Sequence, residues 1–351
     1  MPFTLLLLPV FAVQVFVQPF EARLGMNFTP DVLQACGRML LVDGYFSVLA
    51  KAYGAAPWLS RAGPDVQLAR LFAFLHHAAA RRQRRRIAEK LGACLSKDPK
   101  STAVAAAARQ AIVHRWVKSE PNSLLALTAN KETRRRLCAA VEVVNRRRIH
   151  KALEDGRGAI LWGCPFGQPL LARAVLHDLG LPLIQLHEVG RVEPPDWLRR
   201  LPMRCCYRAA AESLVTAIVD VERQSLAYLK EVRERLSQNR LVLINAMGRN
   251  GQAFVDCDFL GARRPFATGG VSLARAAGAP ILPVFCFEDE TRRVRLVIET
   301  PIVIDRSDDR QAAAARALQN YAGLLEGYIL RYPAQWPRWH AGPQPLSART
   351  G

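Results

Sequence analysis

The turn in GAILWGCPFGQPLL, residues 158–171, contains candidate reactive and ligand-binding residues. The segment predicts an apolar strand, a tight Phe166-Gly167 turn and a helix. The Cys164 thiol could act as a nucleophile and form a covalent intermediate, provided that a helix N-terminus or a nearby cation lowers its pKa. The alternative is a small buried residue that packs the strand end. Phe166, Gly167 and Gln168 are the predicted ligand-binding residues of the turn.

Two histidines are candidates for a general base. His187 comes at the end of a predicted strand, with Glu188 beside it. Parallel strands present their carboxyl ends at one sheet edge, where ligands bind. His187 is therefore better placed than His150 to act as the base. His150 and Asp155 have His-x4-Asp spacing, but they precede the first strand and are expected at the opposite, amino end.

Two arginines are candidates for binding phosphate. Arg249, in AMGRNGQ, follows a predicted strand and has a glycine on either side, so that backbone and ligand can approach closely. Arg204, in LPMRCC, lies in the preceding loop. A guanidinium group binds phosphate through two hydrogen bonds. The alternative for each is a solvated loop arginine.

From residue 156 onward, strands and helices alternate. Continuous apolar strands between helices predict an α/β fold with a mostly parallel twisted sheet, flanked by helices. The predicted strands are 158–163, 181–189, 240–247 and 281–289, and 292–304 is predicted to be another strand or a hairpin. The predicted helices are 169–179, 211–239, 270–280 and 308–332.

The first part of the chain is predicted to be helical and basic. Helices are expected at 65–95, 101–121 and 130–156, and the last of these would carry Arg134–Arg136 and Arg146–Arg148 on one continuous helix. Such clusters are usually solvated helix faces, but several close together favour a phosphate-rich surface.

Residues 1–20 are largely apolar, interrupted by Thr4, Gln14 and three prolines. A full membrane span needs about 20 apolar residues. A membrane-anchoring helix is the leading interpretation, with a buried helix and a secretory signal as alternatives. The predicted organisation is an apolar membrane-associating segment at 1–20, a basic helical region at 21–155, an α/β core at 156–340 and a tail at 341–351.

Composition narrows the classes of function. The chain has 351 residues and a formal charge of +19, which favours anionic partners. Its eight cysteines form no Cys-x-x-Cys pair, so reduced thiols are expected and a zinc site is not. Nucleic-acid binding is a weaker alternative, because no helix-turn-helix, zinc or RNA-recognition motif accompanies the basic runs.

Three segments follow one another along the chain: AILWGCPFGQPLL, then VDCDFLGARRPFATGGVSLARAAGAPILPVFCFED, then LEGYILRYPAQWPRWH. In this order they resemble one family, the lipid A late acyltransferases within the lysophospholipid acyltransferase superfamily. The resemblance covers about residues 156–340. It implies an acyltransferase fold and transfer of an acyl chain from a thioester, on acyl carrier protein or coenzyme A, to a hydroxyl of a membrane glycolipid or phospholipid.

The family signature is His-x4-Asp/Glu in the turn after the first strand. A sugar hydroxyl is a weak nucleophile, so a histidine held by a carboxylate must remove its proton as it attacks. Matching the Phe-Gly turns places Pro165 at the histidine and Leu170 at the acid; a shift of one residue gives Cys164 and Pro169. A further acidic position falls on Ala246, or on Asn245 with one residue of slip. The resemblance therefore implies an acyl-transfer scaffold whose proton-transfer groups are replaced or relocated.

These observations leave two interpretations open. One is an active acyltransferase with an unusual site, in which His187 or Cys164 acts in catalysis. The other is a pseudoenzyme that binds lipid or acyl carrier. Both predict no cofactor, an anionic lipid or glycolipid as acceptor, no specific nucleic acid, and residence on the cytoplasmic face of the inner membrane.

Overall fold

The computed structural model describes residues 81–95, 102–114, 131–188, 217–221, 227–247, 253–305, 307 and 309–340. Nine strands and eight α-helices lie in these ranges. The strands are β1 (Glu142–Val144), β2 (Ala159–Gly163), β3 (Leu183–Glu188), β4 (Ala217–Val221), β5 (Leu241–Asn245), β6 (Phe254–Phe259), β7 (Ala262–Ala267), β8 (Ile281–Glu288) and β9 (Val294–Ile298). The helices are α1 (Arg81–Leu95), α2 (Thr102–Val113), α3 (Lys131–Ala139), α4 (Arg147–Glu154), α5 (Pro169–Asp178), α6 (Ala227–Ser237), α7 (Gly269–Ala277) and α8 (Arg310–Arg331).

Seven of the strands form one sheet in the order β1-β9-β8-β2-β5-β3-β4. Strands β4, β3, β5, β2 and β8 are parallel, whereas β9 is antiparallel to β8 and β1 is parallel to β9. The prediction of a mostly parallel α/β sheet is confirmed. This arrangement brings the carboxyl ends of β8, β2, β5 and β3 to one edge.

Helices cover both faces of the sheet. Along β2, Ile160 and Trp162 belong to a core with α1, α2, α6, α7 and α8. Ala159 and Leu161 point the other way, into a second core with α3, α4 and α5. Because both faces are buried, these strands are apolar throughout instead of alternating.

The predicted continuous helix at 130–156 is wrong. The chain leaves helix α3 at Ala139 and forms the short strand β1 before α4 begins. The local sequence EVV has two β-branched residues, and pairing with β9 stabilises the strand. The arginine clusters at 134–136 and 146–148 consequently flank β1 instead of sharing one helix.

The predicted helix at 211–239 is also wrong in part. Strand β4, AIVDV, pairs in parallel with β3, and among the described residues of this range the helix is Ala227–Ser237. Three of the five residues of β4 are β-branched, which favours a strand once an edge is available to pair with. The antiparallel β6–β7 hairpin was not predicted at all.

Residues 1–20 lie outside the described residues. Among the residues that the structure describes, no helix is both long enough and apolar enough to cross a bilayer.

Candidate functional site

The turn after β2 is fixed in place by backbone contact with β8. Gly167 has φ +65°, and the Gln168 amide donates to the carbonyl of Cys286 at 2.7 Å. A Cβ atom added to Gly167 would lie 2.1 Å from that carbonyl oxygen, so only glycine fits. The Phe-Gly turn therefore depends on the close approach of the Gly167 backbone to the Cys286 carbonyl.

Gln335, in the chain after α8, holds the turn from the other side. Its backbone carbonyl accepts from the Gly167 amide at 3.0 Å. Its side-chain amide spans both backbone groups of Glu288, accepting at 3.0 Å and donating at 2.6 Å. Gln335 is only 7% exposed and so joins the turn to the end of β8.

Phe166 anchors the turn in the core. Its ring is 1% exposed and lies 6.0–6.4 Å, between ring centroids, from Phe285, Phe287 and Tyr328. Gln168 is fully buried. Their predicted role in binding ligand stays a prediction, and the observed contacts of Phe166 are with the protein core.

Two further residues of the family-like segments have packing roles. Gly270, near the start of α7, faces Trp162; a Cβ there would lie 2.8 Å from Trp162 Nε1. The Trp162 ring in turn packs on Tyr321, with 4.8 Å between centroids. Thr268 donates through its amide to the carbonyl of Ala253 at 3.0 Å, which ties α7 to the hairpin. The Thr-x-Gly pattern thus serves helix–sheet packing.

The Cys164 thiol is 8% exposed, next to the buried Tyr321 hydroxyl. Burial raises the pKa of Cys164 to about 11, against smaller opposing effects of the Phe166 backbone amide, Tyr321 and Arg338. A nucleophilic thiol needs a lowered pKa, and the environment of Cys164 shifts it the other way. Its catalytic role stays a prediction, without the environment that such a role needs.

The positions aligned with the family's titrating residues hold no proton acceptor. Pro165 is partly exposed at the turn, and Leu170 packs against the core with α3, α4 and α5. After β5, Ala246 is 2% exposed, and the Asn245 side chain accepts from the Met247 amide at 3.1 Å. None of these side chains can take a proton from a hydroxyl near neutral pH.

His187 lies near the carboxyl end of β3, where its backbone pairs with Asp220 of β4. Strand β3 is separated from β2 by β5 alone. This placement agrees with the sequence prediction, and the role as a base stays a prediction. His150 is exposed on α4, the helix that precedes the amino end of β2. Its Nε2 accepts a hydrogen bond from the Arg146 guanidinium at 3.3 Å. Arg204 and Arg249 lie outside the described residues.

A cluster of cations adjoins the same edge and was not singled out from the sequence. Arg338 donates to the carbonyl of Met247, after β5, at 3.1 Å, and its own carbonyl accepts from Lys90 at 3.5 Å. Burial lowers the pKa of Lys90, and the nearby Arg86 and Arg264 lower it further. The four residues come from three distant parts of the chain, so sequence spacing alone gives no sign of the cluster.

Within the described ranges, no group of three or more His, Cys, Asp or Glu side chains could hold a metal ion. The edge therefore offers, in its described part, a glycine turn, a buried thiol, an exposed asparagine and several cations. That set can bind an anionic ligand.

Comparison with known proteins agrees with the resemblance. A phosphatidylinositol mannoside acyltransferase of Mycolicibacterium smegmatis (strain ATCC 700084 / mc(2)155) is 29% identical over 211 residues. The match covers 59% of this chain and 64% of that relative, so it spans less than two thirds of the relative's length. The model of the bacterial lipid A biosynthesis acyltransferase family matches residues 45–341. The chain belongs to this acyltransferase family, as the strand–turn–helix and Pro-x-Gln-Trp segments predict.

Proposed function

We propose that this chain binds an acyl-lipid ligand at the carboxyl edge of its sheet without transferring the acyl group by the histidine–carboxylate route of its family. The family and the relative support an acyltransferase-type protein that acts on lipids. The observation that carries the proposal is the pair of aligned positions: Pro165 replaces the base, and Leu170, which is partly buried against a core, replaces the acid.

Acyl transfer to a hydroxyl requires a group that accepts the proton as the hydroxyl oxygen attacks the thioester carbon. Neither proline nor leucine can do so. A covalent route through Cys164 would need thiolate, and burial raises its pKa to about 11. At pH 7 only about one thiol in ten thousand would then be ionised. Among the described residues of the edge, the turn supplies scaffold and no base.

The charge of the site indicates the class of ligand. The cluster of Arg86, Lys90, Arg264 and Arg338 lies beside the carboxyl end of β5. The positive potentials of neighbouring cations add, which favours phosphate, as found on phospholipids, anionic glycolipids, coenzyme A and acyl carrier protein. We propose an anionic lipid or glycolipid as the ligand of this cluster. The thioester donors, which also carry phosphate, would compete for the same cations.

We further propose that the protein lies on the cytoplasmic face of the inner membrane, attached through residues 1–20 and the basic helices. The support is the apolar composition of residues 1–20 and the arginine runs of α1 and α3. Exposed arginines near an anionic surface contribute about 1 kcal/mol each to binding.

A second candidate function is acyl transfer with His187 as the relocated base. The observation in its favour is the position of His187 near the carboxyl end of β3. The turn follows β2, and only β5 lies between β2 and β3 in the sheet. A histidine at this edge could reach a hydroxyl that is bound there, since ligands of open α/β sheets bind at strand carboxyl ends.

One set of variants separates the two functions. Palmitoyl-coenzyme A would be incubated with a phosphatidylinositol mannoside and each protein, and both binding and acyl transfer would be measured. We expect the wild type to bind lipid and to transfer no acyl chain above the protein-free rate. The double variant Pro165→His, Leu170→Glu is expected to gain transfer, by about 10²-fold or more if the pair is correctly placed. The matched control is Pro165→Gln, Leu170→Gln, which cannot move a proton.

Wild-type transfer that His187→Ala abolishes would establish the second candidate and refute the first. Absence of lipid binding by a folded wild type would refute the binding proposal itself. Circular dichroism of each variant checks that the half-buried carboxylate at residue 170 has not unfolded the protein.

A further inference from the structure

A groove of about 720 Å³ lies between α8 and the β8–β9–β1 side of the sheet. We call it the α8 groove. Its sheet side is formed by Phe287, Val297 and Val144, and its helix side by Gly323, Gly327 and Tyr328. Volumes of this size are typical of small-molecule sites. The catalytic positions considered above are not among its lining residues.

The glycines of α8 leave the helix backbone open to the groove. Gly323 and Gly327 lie one turn apart within a helix of 22 residues, and both are exposed. A Cβ atom at either position would have nothing within 4 Å, so the protein's own packing does not require glycine there. Glycine is a poor helix former, and its presence on this face is explained if a ligand approaches the helix closely.

The charges of the groove differ in sign from those of the chain as a whole. The chain carries +19, yet the groove is lined by three carboxylates, Asp289, Glu290 and Glu299, against the guanidinium groups of Arg295 and Arg331. This excess of acid disfavours phosphate and other anions.

The charged groups of the groove are held in pairs. Arg331 bonds Glu290 at 2.9 Å, and the Tyr328 hydroxyl donates to Glu299. Arg295 bonds Glu142, outside the groove lining, at 2.7 Å and lies 3.8 Å from Asp289. An acyl chain bound along the groove would remove water from these ionic groups without forming hydrogen bonds to them, which is unfavourable. A ligand that carries hydroxyl groups could donate to the carboxylates and accept from the guanidinium groups.

Aromatic rings complete the groove. Tyr332 packs on Phe287 with 4.9 Å between ring centroids, and Tyr328 packs on the same ring at 5.1 Å. The Arg331 guanidinium lies 5.5 Å from the Tyr332 ring. Flat apolar surfaces beside hydrogen-bonding groups suit a pyranose ring, which has an apolar face of C–H groups and an edge of hydroxyls.

We infer that the α8 groove is a binding site for an uncharged sugar. The site is separate from the carboxyl edge of β2 and does not depend on whether the chain transfers acyl groups. Its nearest link to that edge is the contact of Phe287 and Tyr328 with Phe166.

The test uses the full chain and three neutral probes, methyl α-D-mannopyranoside, methyl β-D-glucopyranoside and methyl N-acetyl-β-D-glucosaminide. Binding is measured by saturation-transfer NMR and calorimetry. Gly327→Leu fills the groove while improving helix propensity, so folding is retained. Ala312→Leu is the matched control, because Ala312 is exposed on the same helix and is not among the groove residues. Tyr332→Ala removes one ring.

We expect at least one sugar to bind the wild type and the control equally and to show no binding to Gly327→Leu. In Tyr332→Ala the dissociation constant should rise about tenfold, the effect of one ring contact. Failure of all three sugars to bind the wild type would overturn the inference, and so would binding that Gly327→Leu leaves unchanged. Displacement of the sugar by decanoate or by inorganic phosphate, at equal concentration, would instead assign the groove to an acyl chain or an anion.

Discussion

Replacement of Gln335 by alanine tests whether the tail holds the turn in place. The change removes the side-chain amide that bonds the N–H and C=O of Glu288, and it keeps the Gln335 backbone carbonyl that accepts from Gly167. Because Gln335 is 7% exposed, water does not readily replace the lost partner. The two backbone groups of Glu288 would be left without their present bonds.

The expected cost follows from burial. A buried polar group that loses its partner costs about 1 to 3 kcal/mol, so two such groups predict a loss of about 2 to 6 kcal/mol in the free energy of unfolding. The chain offers a matched control in Gln319, whose amide spans the N–H and C=O of Asp258 in the same way, at 2.9 and 3.1 Å. Gln319 is exposed, so Gln319→Ala should cost at most about 1 kcal/mol.

Urea unfolding of the full chain, followed by tryptophan fluorescence and circular dichroism, measures both costs. Hydrogen exchange at the Gly167 amide reports separately whether the tail has moved away from the turn. We expect Gln335→Ala to lower the midpoint with an unchanged m-value and to speed exchange at Gly167. Equal destabilisation by the two variants would show that burial of the Gln335 amide does not matter and would refute the reasoning.

Three other predictions concern the turn, the thiol and the membrane. Gly167→Ala should destabilise the fold by more than about 2 kcal/mol, because its Cβ would meet a carbonyl oxygen, whereas Gly261→Ala, with φ +71° and open space, should cost only about 1 to 2 kcal/mol in urea unfolding. Alkylation of Cys164, followed by peptide mass spectrometry, should be slow in the native state at neutral pH and rise as pH approaches about 11; rapid reaction at pH 7 would contradict the effect of burial. Deletion of residues 1–20 and neutralisation of Arg84–Arg86 should each weaken sedimentation with anionic liposomes, and unchanged sedimentation in both would exclude the anchor.

Sequence patterns predicted the elements whose signal is local. The apolar runs of β2, β5 and β8 and the helix α8 all lie where periodicity places them. The errors fall on segments that pair with distant strands. The sequence around Glu142–Val144 is compatible with a helix or a strand, and the partner in β9, about 150 residues later, decides between them.

The sequence predicts where in the fold the candidate site lies, but it does not predict the contacts that its side chains make. The Phe-Gly turn, the strand end and the absence of His and acid at residues 165 and 170 can be derived from the sequence. That Phe166 points into the core, or that Arg338 meets Lys90, depends on packing between elements far apart in the chain. A single sequence does not give the direction of a side chain at an irregular turn.

The residues that make this chain resemble an acyltransferase have structural reasons to be there. Gly167 is required by a carbonyl 2.1 Å from its would-be Cβ, Gly270 by the Trp162 ring, and Gln335 by the backbone of Glu288. Each of these constraints acts within the folded protein, with or without a substrate. Their presence is therefore evidence for the fold, but it carries no information about proton transfer. Acyl transfer requires a group that can accept a proton at the carboxyl edge of the sheet, and Pro165, at the aligned position, has none.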